Sequence, residues 1–176
     1  NVSNIGDPCI VIEDKKYYMF TTARNGGNFN CYVSNDMKYY DFIGEVLDKN
    51  NTFGNIDFWA PEVIKYNSDY YMFYSARSKD GIIHIGVAKS SVITGPYVDL
   101  NQNKPLLNLN KDTTDAYPFI DKDGKVYLFF VLNCTTNIVK NKHISQICIT
   151  EIEKDFSSTK RDIQILLTPS EKWELK

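Results

Sequence analysis

Histidine is almost absent from this chain. His84 and His143 are the only two, and neither has a second ligand at metal-binding spacing. The four cysteines, Cys9, Cys31, Cys134 and Cys148, form no CxxC pair. Together these scarcities exclude a zinc ribbon, a thioredoxin-like redox motif and a disulfide scaffold, and leave the cysteines as small apolar side chains in strands. No cofactor is expected. There is no charge excess: 20 Lys and Arg against 22 Asp and Glu give a net charge of −2, so no basic face is available for nucleic acid. No apolar run approaches the roughly 20 residues of a membrane-spanning helix, and no membrane partner is expected. No window of helical length keeps a 3.6-residue period either, which removes helical and α/β architectures. The chain opens Asn1-Val2-Ser3-Asn4, with no initiator Met, basic segment or apolar segment, as a mature protein or an excised piece would. It assigns no compartment; extracellular and cytoplasmic both stay open.

Aromatic residues are plentiful. Twelve Tyr, ten Phe and two Trp make up 14% of 176 residues, in alternating patterns suited to half-buried pleated surfaces. Three segments share one plan: a proline, an apolar strand, a polar turn and an aromatic strand. They are Asp7-Pro8-Cys9-Ile10 leading to Tyr17-Tyr18-Met19-Phe20, Trp59-Ala60-Pro61-Glu62-Val63 leading to Tyr70-Tyr71-Met72-Phe73, and Asp115-Ala116-Tyr117-Pro118-Phe119 leading to Val126-Tyr127-Leu128-Phe129. The prolines are spaced 53 and 57 residues apart, and Tyr18, Tyr71 and Tyr127 are spaced 53 and 56. A third alternating strand and a fourth short element follow each hairpin. Four strands in about 50 residues is the content of a β-propeller blade.

The sequence therefore predicts an all-β fold: three four-stranded blades of a propeller, in one incomplete domain spanning 1–176. Blade 1 covers about 5–50, blade 2 about 57–108 and blade 3 about 113–176. Propellers close with about 4–8 blades, so three leave two apolar faces uncovered. The remaining blades are expected from sequence outside this chain or from another chain.

In a propeller the first strand of each blade lines the central channel. Asp7 and Asp115, 108 residues apart, both stand at the mouth of such a strand. Equivalent placement in two blades aims both carboxylates at one cavity. Asp14, Asp69, Asp121 and Asp123 lie in hairpin turns, where Asp has an ordinary turn role. Phe58, Trp59 and Tyr117 are candidate sugar-stacking platforms at the same mouth, with inter-blade packing as the competing role. Arg24 and Arg77 follow equivalent second strands and read as solvated surface.

Taken in order, Asp7-Pro8, Trp59-Ala60-Pro61-Glu62-Val63 and Asp115-Ala116-Tyr117-Pro118-Phe119-Ile120-Asp121-Lys122-Asp123-Gly124 resemble glycoside hydrolase family 43. Val33-Ser34-Asn35-Asp36-Met37, Gly95-Pro96-Tyr97 and Pro169 to Glu174 support it. The resemblance implies a five-bladed propeller that hydrolyses arabinose- or xylose-containing plant glycans with inversion. It also implies that Asp7 is the general base and that Asp115 orients the general acid and modulates its pKa. Inversion needs acid and base roughly 6.5–9.5 Å apart, with room for water. The family's acid, a Glu before Gly-Pro in the next blade, has no match here, so the chain alone is expected to be inactive. A structural calcium ion occurs on the axis of some complete members, but no ligand set in this sequence establishes one. The alternative function is a propeller that binds carbohydrate or protein without catalysis. Fructan-cleaving and sialidase propellers are disfavoured, because Asp7 follows Gly6 rather than an Asn-Asp-Pro-Asn opening and no Ser-x-Asp-x-Gly-x-Thr-Trp box occurs.

Overall fold

The computed structural model describes residues 2–23, 27–101 and 103–174. Among them there is no α-helix. Three antiparallel four-stranded sheets follow one another along the chain. The first contains β1 (Gly6–Glu13), β2 (Lys16–Thr22), β3 (Phe29–Ser34) and β4 (Asp41–Glu45). The second contains β5 (Ile56–Tyr66), β6 (Asp69–Arg77), β7 (Ile83–Ser90) and β8 (Val98–Asp99). The third starts with β9 (Thr113–Ile120) and β10 (Val126–Leu132). After a small hairpin of β11 (Ile138–Val139) and β12 (Lys142–His143), it ends with β13 (Gln146–Ile152) and β14 (Thr159–Leu167). In each blade the strands neighbour one another in chain order, the innermost being β1, β5 and β9. The chain is a partial propeller of three blades. The β11–β12 hairpin interrupts the third blade and was not anticipated from sequence.

Face-to-face packing of the blades creates two cores. Phe20, Phe29 and Cys31 of blade 1 meet Phe58, Met72 and Tyr74 of blade 2 in the first. Tyr71, Phe73 and Ile85 on the other side of blade 2 meet Leu128, Phe130 and Phe156 in the second. Blade 2 is thus covered on both sides, and β6 is buried at every position but its two ends. In β10, by contrast, buried and half-buried positions alternate, as expected of a sheet with one face covered. The uncovered faces of the end blades remain apolar: Ile10, Ile12 and Phe42 on blade 1, and Phe119, Ile147 and Ile165 on blade 3, are exposed.

The innermost strands share a device that fixes the centre of the molecule. In each, two residues oppose one across the hairpin, a β-bulge. Asp7 and Pro8 lie between the pairs Gly6↔Thr22 and Cys9↔Phe20. Ala60 and Pro61 lie between Trp59↔Ser75 and Glu62↔Phe73. Asp115 and Ala116 lie between Thr114↔Val131 and Tyr117↔Phe129. The first bulge residue is left-handed each time, with φ of 49° at Asp7, 49° at Ala60 and 57° at Asp115. Proline suits the second position because the ladder is already broken there. This register corrects one sequence expectation. Pro118 is not the counterpart of Pro8 and Pro61; Ala116 is, and Pro118 pairs with Leu128 two residues further along.

Candidate active site at the hub

The three bulges meet over a shallow depression of about 270 Å³ lined by Asp7, Pro8, Ala60, Pro61, Glu62, Asp115, Ala116 and Tyr117. A left-handed residue reverses the alternation of the strand locally, so its side chain is released from the blade faces. The first bulge position therefore aims a side chain at the hub three times, as a carboxylate in blades 1 and 3 and as a methyl in blade 2.

Hydroxyl groups tie these bulges to the blades beside them. Thr22 Oγ1 donates to Asp7 Oδ2 at 2.9 Å and accepts the backbone N–H of Ala60 at 3.0 Å. At the next seam, Ser75 Oγ accepts the backbone N–H of Asp115 at 3.2 Å, and Thr114 Oγ1 donates to Asp115 Oδ2 at 2.9 Å. Thr22 and Ser75 occupy the same register position, two residues beyond Phe20 and Phe73. Composition and motif reading passed both over. Their visible signal was a hydroxyl residue at that fixed offset from the aromatic strand's Phe.

Glu62 supplies a third carboxyl to the depression and is half-buried. Burial pushes its carboxyl above the usual glutamate range, while a hydrogen bond with the Cys9 thiol works the other way. Cys9 is in turn pinned across the seam, its sulfur accepting the Val63 N–H at 3.3 Å.

The aromatic candidates separate. Tyr117 lines the depression and is 52% exposed. Trp59 is half-buried, adjacent to Ala60 in sequence but outside the residues lining the depression. Phe58 is corrected: at 1% exposure it is a core residue, edge-on to Phe29 with ring centroids 6.0 Å apart, and has no surface for a sugar. Neighbouring residues of a strand point to opposite faces, and the seam between blades 1 and 2 takes Phe58. Arg77 is bound to Asp57 by Nε at 2.7 Å and to the Gly81 carbonyl by Nη1 at 2.7 Å, which turns it away from solvent alone. Arg24 lies outside the described residues.

A larger concavity, about 890 Å³, lies between the 100–109 connection and the start of β14. Among the described residues Lys104 is the only charged one lining it, and they offer no pair of acid and base groups. Among the described residues no three His, Cys, Asp or Glu side chains are grouped to hold a metal ion. No helix among the described residues is long and apolar enough to cross a membrane.

Three four-stranded blades, with Asp7, Glu62 and Asp115 gathered where the innermost strands meet, define a partial β-propeller with a carboxylate-lined hub. Comparison with known proteins makes the class specific. The profile of glycosyl hydrolases family 43 matches residues 3–176, and the chain belongs to that family. It is similar to the crystal structure of a thermostable family-43 glycoside hydrolase, with TM-score 0.91 and 35% identity, covering 99% of this chain and 56% of that one. An endo-arabinase from Bacteroides thetaiotaomicron VPI-5482 aligns with TM-score 0.82 and 25% identity, over 94% of this chain and 57% of that one. Among curated proteins, the xylosidase/arabinosidase of Bacteroides ovatus is 25% identical over 145 residues, 72% of this chain and 43% of that protein. Xylosidase/arabinosidase 43A of Humicola insolens is 35% identical over 72 residues, 41% of this chain and 21% of that protein. The chain thus spans little more than half the length of the solved relatives it matches, and less of the curated ones.

Proposed function

We propose that the protein carrying this chain is an inverting glycoside hydrolase for arabinose- or xylose-containing plant polysaccharides and oligosaccharides. Asp7 is its general base, activating water, and Asp115 holds and electrostatically tunes a general acid. That acid is a glutamate outside this chain. The remaining blades cover the apolar faces now open on blades 1 and 3 and carry it to the hub. Tyr117, which lines the depression, borders the sugar. The observation that carries the reading is the convergence of Asp7 and Asp115, remote in sequence, on one depression through the same left-handed bulge.

One oxygen of Asp7 is anchored by Thr22. The other makes no hydrogen bond to the protein among the described residues and is left to take a proton from water. With a carboxylate on one side of the depression and the acid brought in from another, water and leaving group lie on opposite faces of the ring, as inversion requires. The test is proton NMR of the first-formed sugar from an aryl xyloside or arabinofuranoside: the product anomer is opposite to the substrate's. Asn tolerates left-handed backbone, so Asp7→Asn keeps the fold. Loss of the general base lowers turnover about 10²–10⁴-fold. Retention of anomeric configuration would refute the mechanism, and near-normal turnover of Asp7→Asn would remove Asp7 from it. The 176 residues alone turn over no substrate; full activity from them would refute the missing-acid reading. Sugar binding without hydrolysis by the complete protein would favour a purely binding propeller.

A further inference from the structure

We infer that Thr22 is a positioning residue for Asp7, setting the carboxylate's orientation through a hydroxyl whose own direction is fixed by the neighbouring blade. The inference rests on the reading of Asp7 as general base. Thr22 stands directly opposite Gly6, the residue before Asp7, at the edge of the bulge. Its Oγ1 receives the N–H of Ala60 from blade 2 at 3.0 Å and donates to Asp7 Oδ2 at 2.9 Å. A hydroxyl has one proton. With the Ala60 N–H seated on its oxygen from one side, that proton points to Asp7. The donor is part of the seam between two blades, so the carboxylate is registered against blade 2, where Ala60 and Glu62 line the depression, rather than against its own hairpin alone.

Asp115 is held differently. Its carboxylate receives the hydroxyl of Thr114, its own sequence neighbour, while the seam hydroxyl of Ser75 takes only its backbone N–H. The two hub carboxylates therefore sit on unlike supports, and the one assigned to proton abstraction is the one coupled across blades. A general base gains from geometric fixation: misplacement by about 1 Å can cost 10²-fold in rate.

The test uses the complete protein, with steady-state kinetics on an aryl glycoside. Thr22→Val keeps the shape of the side chain and removes both hydrogen bonds; kcat falls about 10–10²-fold while KM stays within about threefold. Thr22→Ser restores kcat to within about threefold of the parent. In an Asp7→Asn background, Thr22→Val produces no further fall in kcat, because it acts through the missing carboxylate. If the valine variant folds poorly, Thr22→Ala compared with Thr22→Ser carries the same contrast. Parent-like kcat in folded Thr22→Val, a serine variant as slow as the valine one, or a full additional loss in the Asp7→Asn background would each overturn the inference while Asp7 keeps its role. Near-normal turnover of Asp7→Asn would instead overturn the assignment of the base, and this inference with it.

Discussion

Tyr74 and Asp99 form a buried pair behind the hub, and removing the Tyr74 hydroxyl is a sharp test of how the loop before Trp59 is held. Tyr74 has no exposed surface and Asp99 is 8% exposed. The phenol donates to Asp99 Oδ1 in a short hydrogen bond and lies 2.7 Å from Thr52 Oγ1. Asp99 Oδ2 accepts the Phe53 N–H at 2.9 Å. Tyr74→Phe leaves one carboxylate oxygen buried without its donor. A hydrogen bond to a charged group contributes about 1.5–3 kcal/mol, and Phe fits the same space, so the loss is not compounded by a cavity. At roughly 2–4 °C per kcal/mol, the melting temperature falls by about 3–12 °C. Urea unfolding of the complete protein measures it as a lower midpoint with an unchanged slope. Hydrogen exchange of the Phe53 amide accelerates in parallel. A stability change within about 0.5 kcal/mol would refute the reasoning. The same pair sets a pH dependence. Burial raises the Asp99 carboxyl, against the Tyr74, Phe53 and Thr52 hydrogen bonds that lower it. The folded state therefore holds this proton more tightly than the unfolded one. Its contribution is full below about pH 3.9 and is lost as pH rises through the raised folded value, and Asp99→Asn abolishes that slope.

Two further outcomes follow from packing. A Cβ on Gly86 would lie 2.4 Å from the Phe53 ring and 2.8 Å from the Tyr74 ring, so Gly86→Ala costs about 1–3 kcal/mol by overpacking; a neutral thermal melt would contradict this. Burial pushes the Cys9 and Cys31 thiols up to about 12, so iodoacetamide at pH 8 labels the partly exposed Cys134 first, which peptide mass spectrometry resolves. Native Cys9 labelled as fast as Cys134 would show that the seam between blades 1 and 2 is open.

The hairpins were readable because their aromatic strands repeat Tyr, a spacer and Phe at nearly constant offset, and cross-strand pairing enforces that spacing. The three-blade architecture was readable from the same repeat, whereas the family was readable only as a resemblance, from the ordered motifs at Asp7-Pro8, Trp59 to Val63 and Asp115 to Gly124. The bulge was not, because neither Asp nor Ala announces a left-handed backbone, and Pro118 imitated the wrong counterpart in a hairpin whose turn is longer. Phe58 and Trp59 were ambiguous for a related reason. Alternation says that they part company, but only the position of the neighbouring blade says which one is covered. Glu62 carried no proton-transfer signal in sequence; its presence in the depression depends on strands brought together by packing. Thr22 was legible only in register, since its partners belong to two different sheets.

Ala60 adopts the same strained backbone as Asp7 and Asp115 but has no side-chain oxygen with which to compensate the strain. Each blade therefore carries its own mount for an axial group, independent of what is attached. One codon change in the second blade would alter the charge at the molecular axis with the surrounding strands already shaped to receive it, and new chemistry could arise there without a new fold.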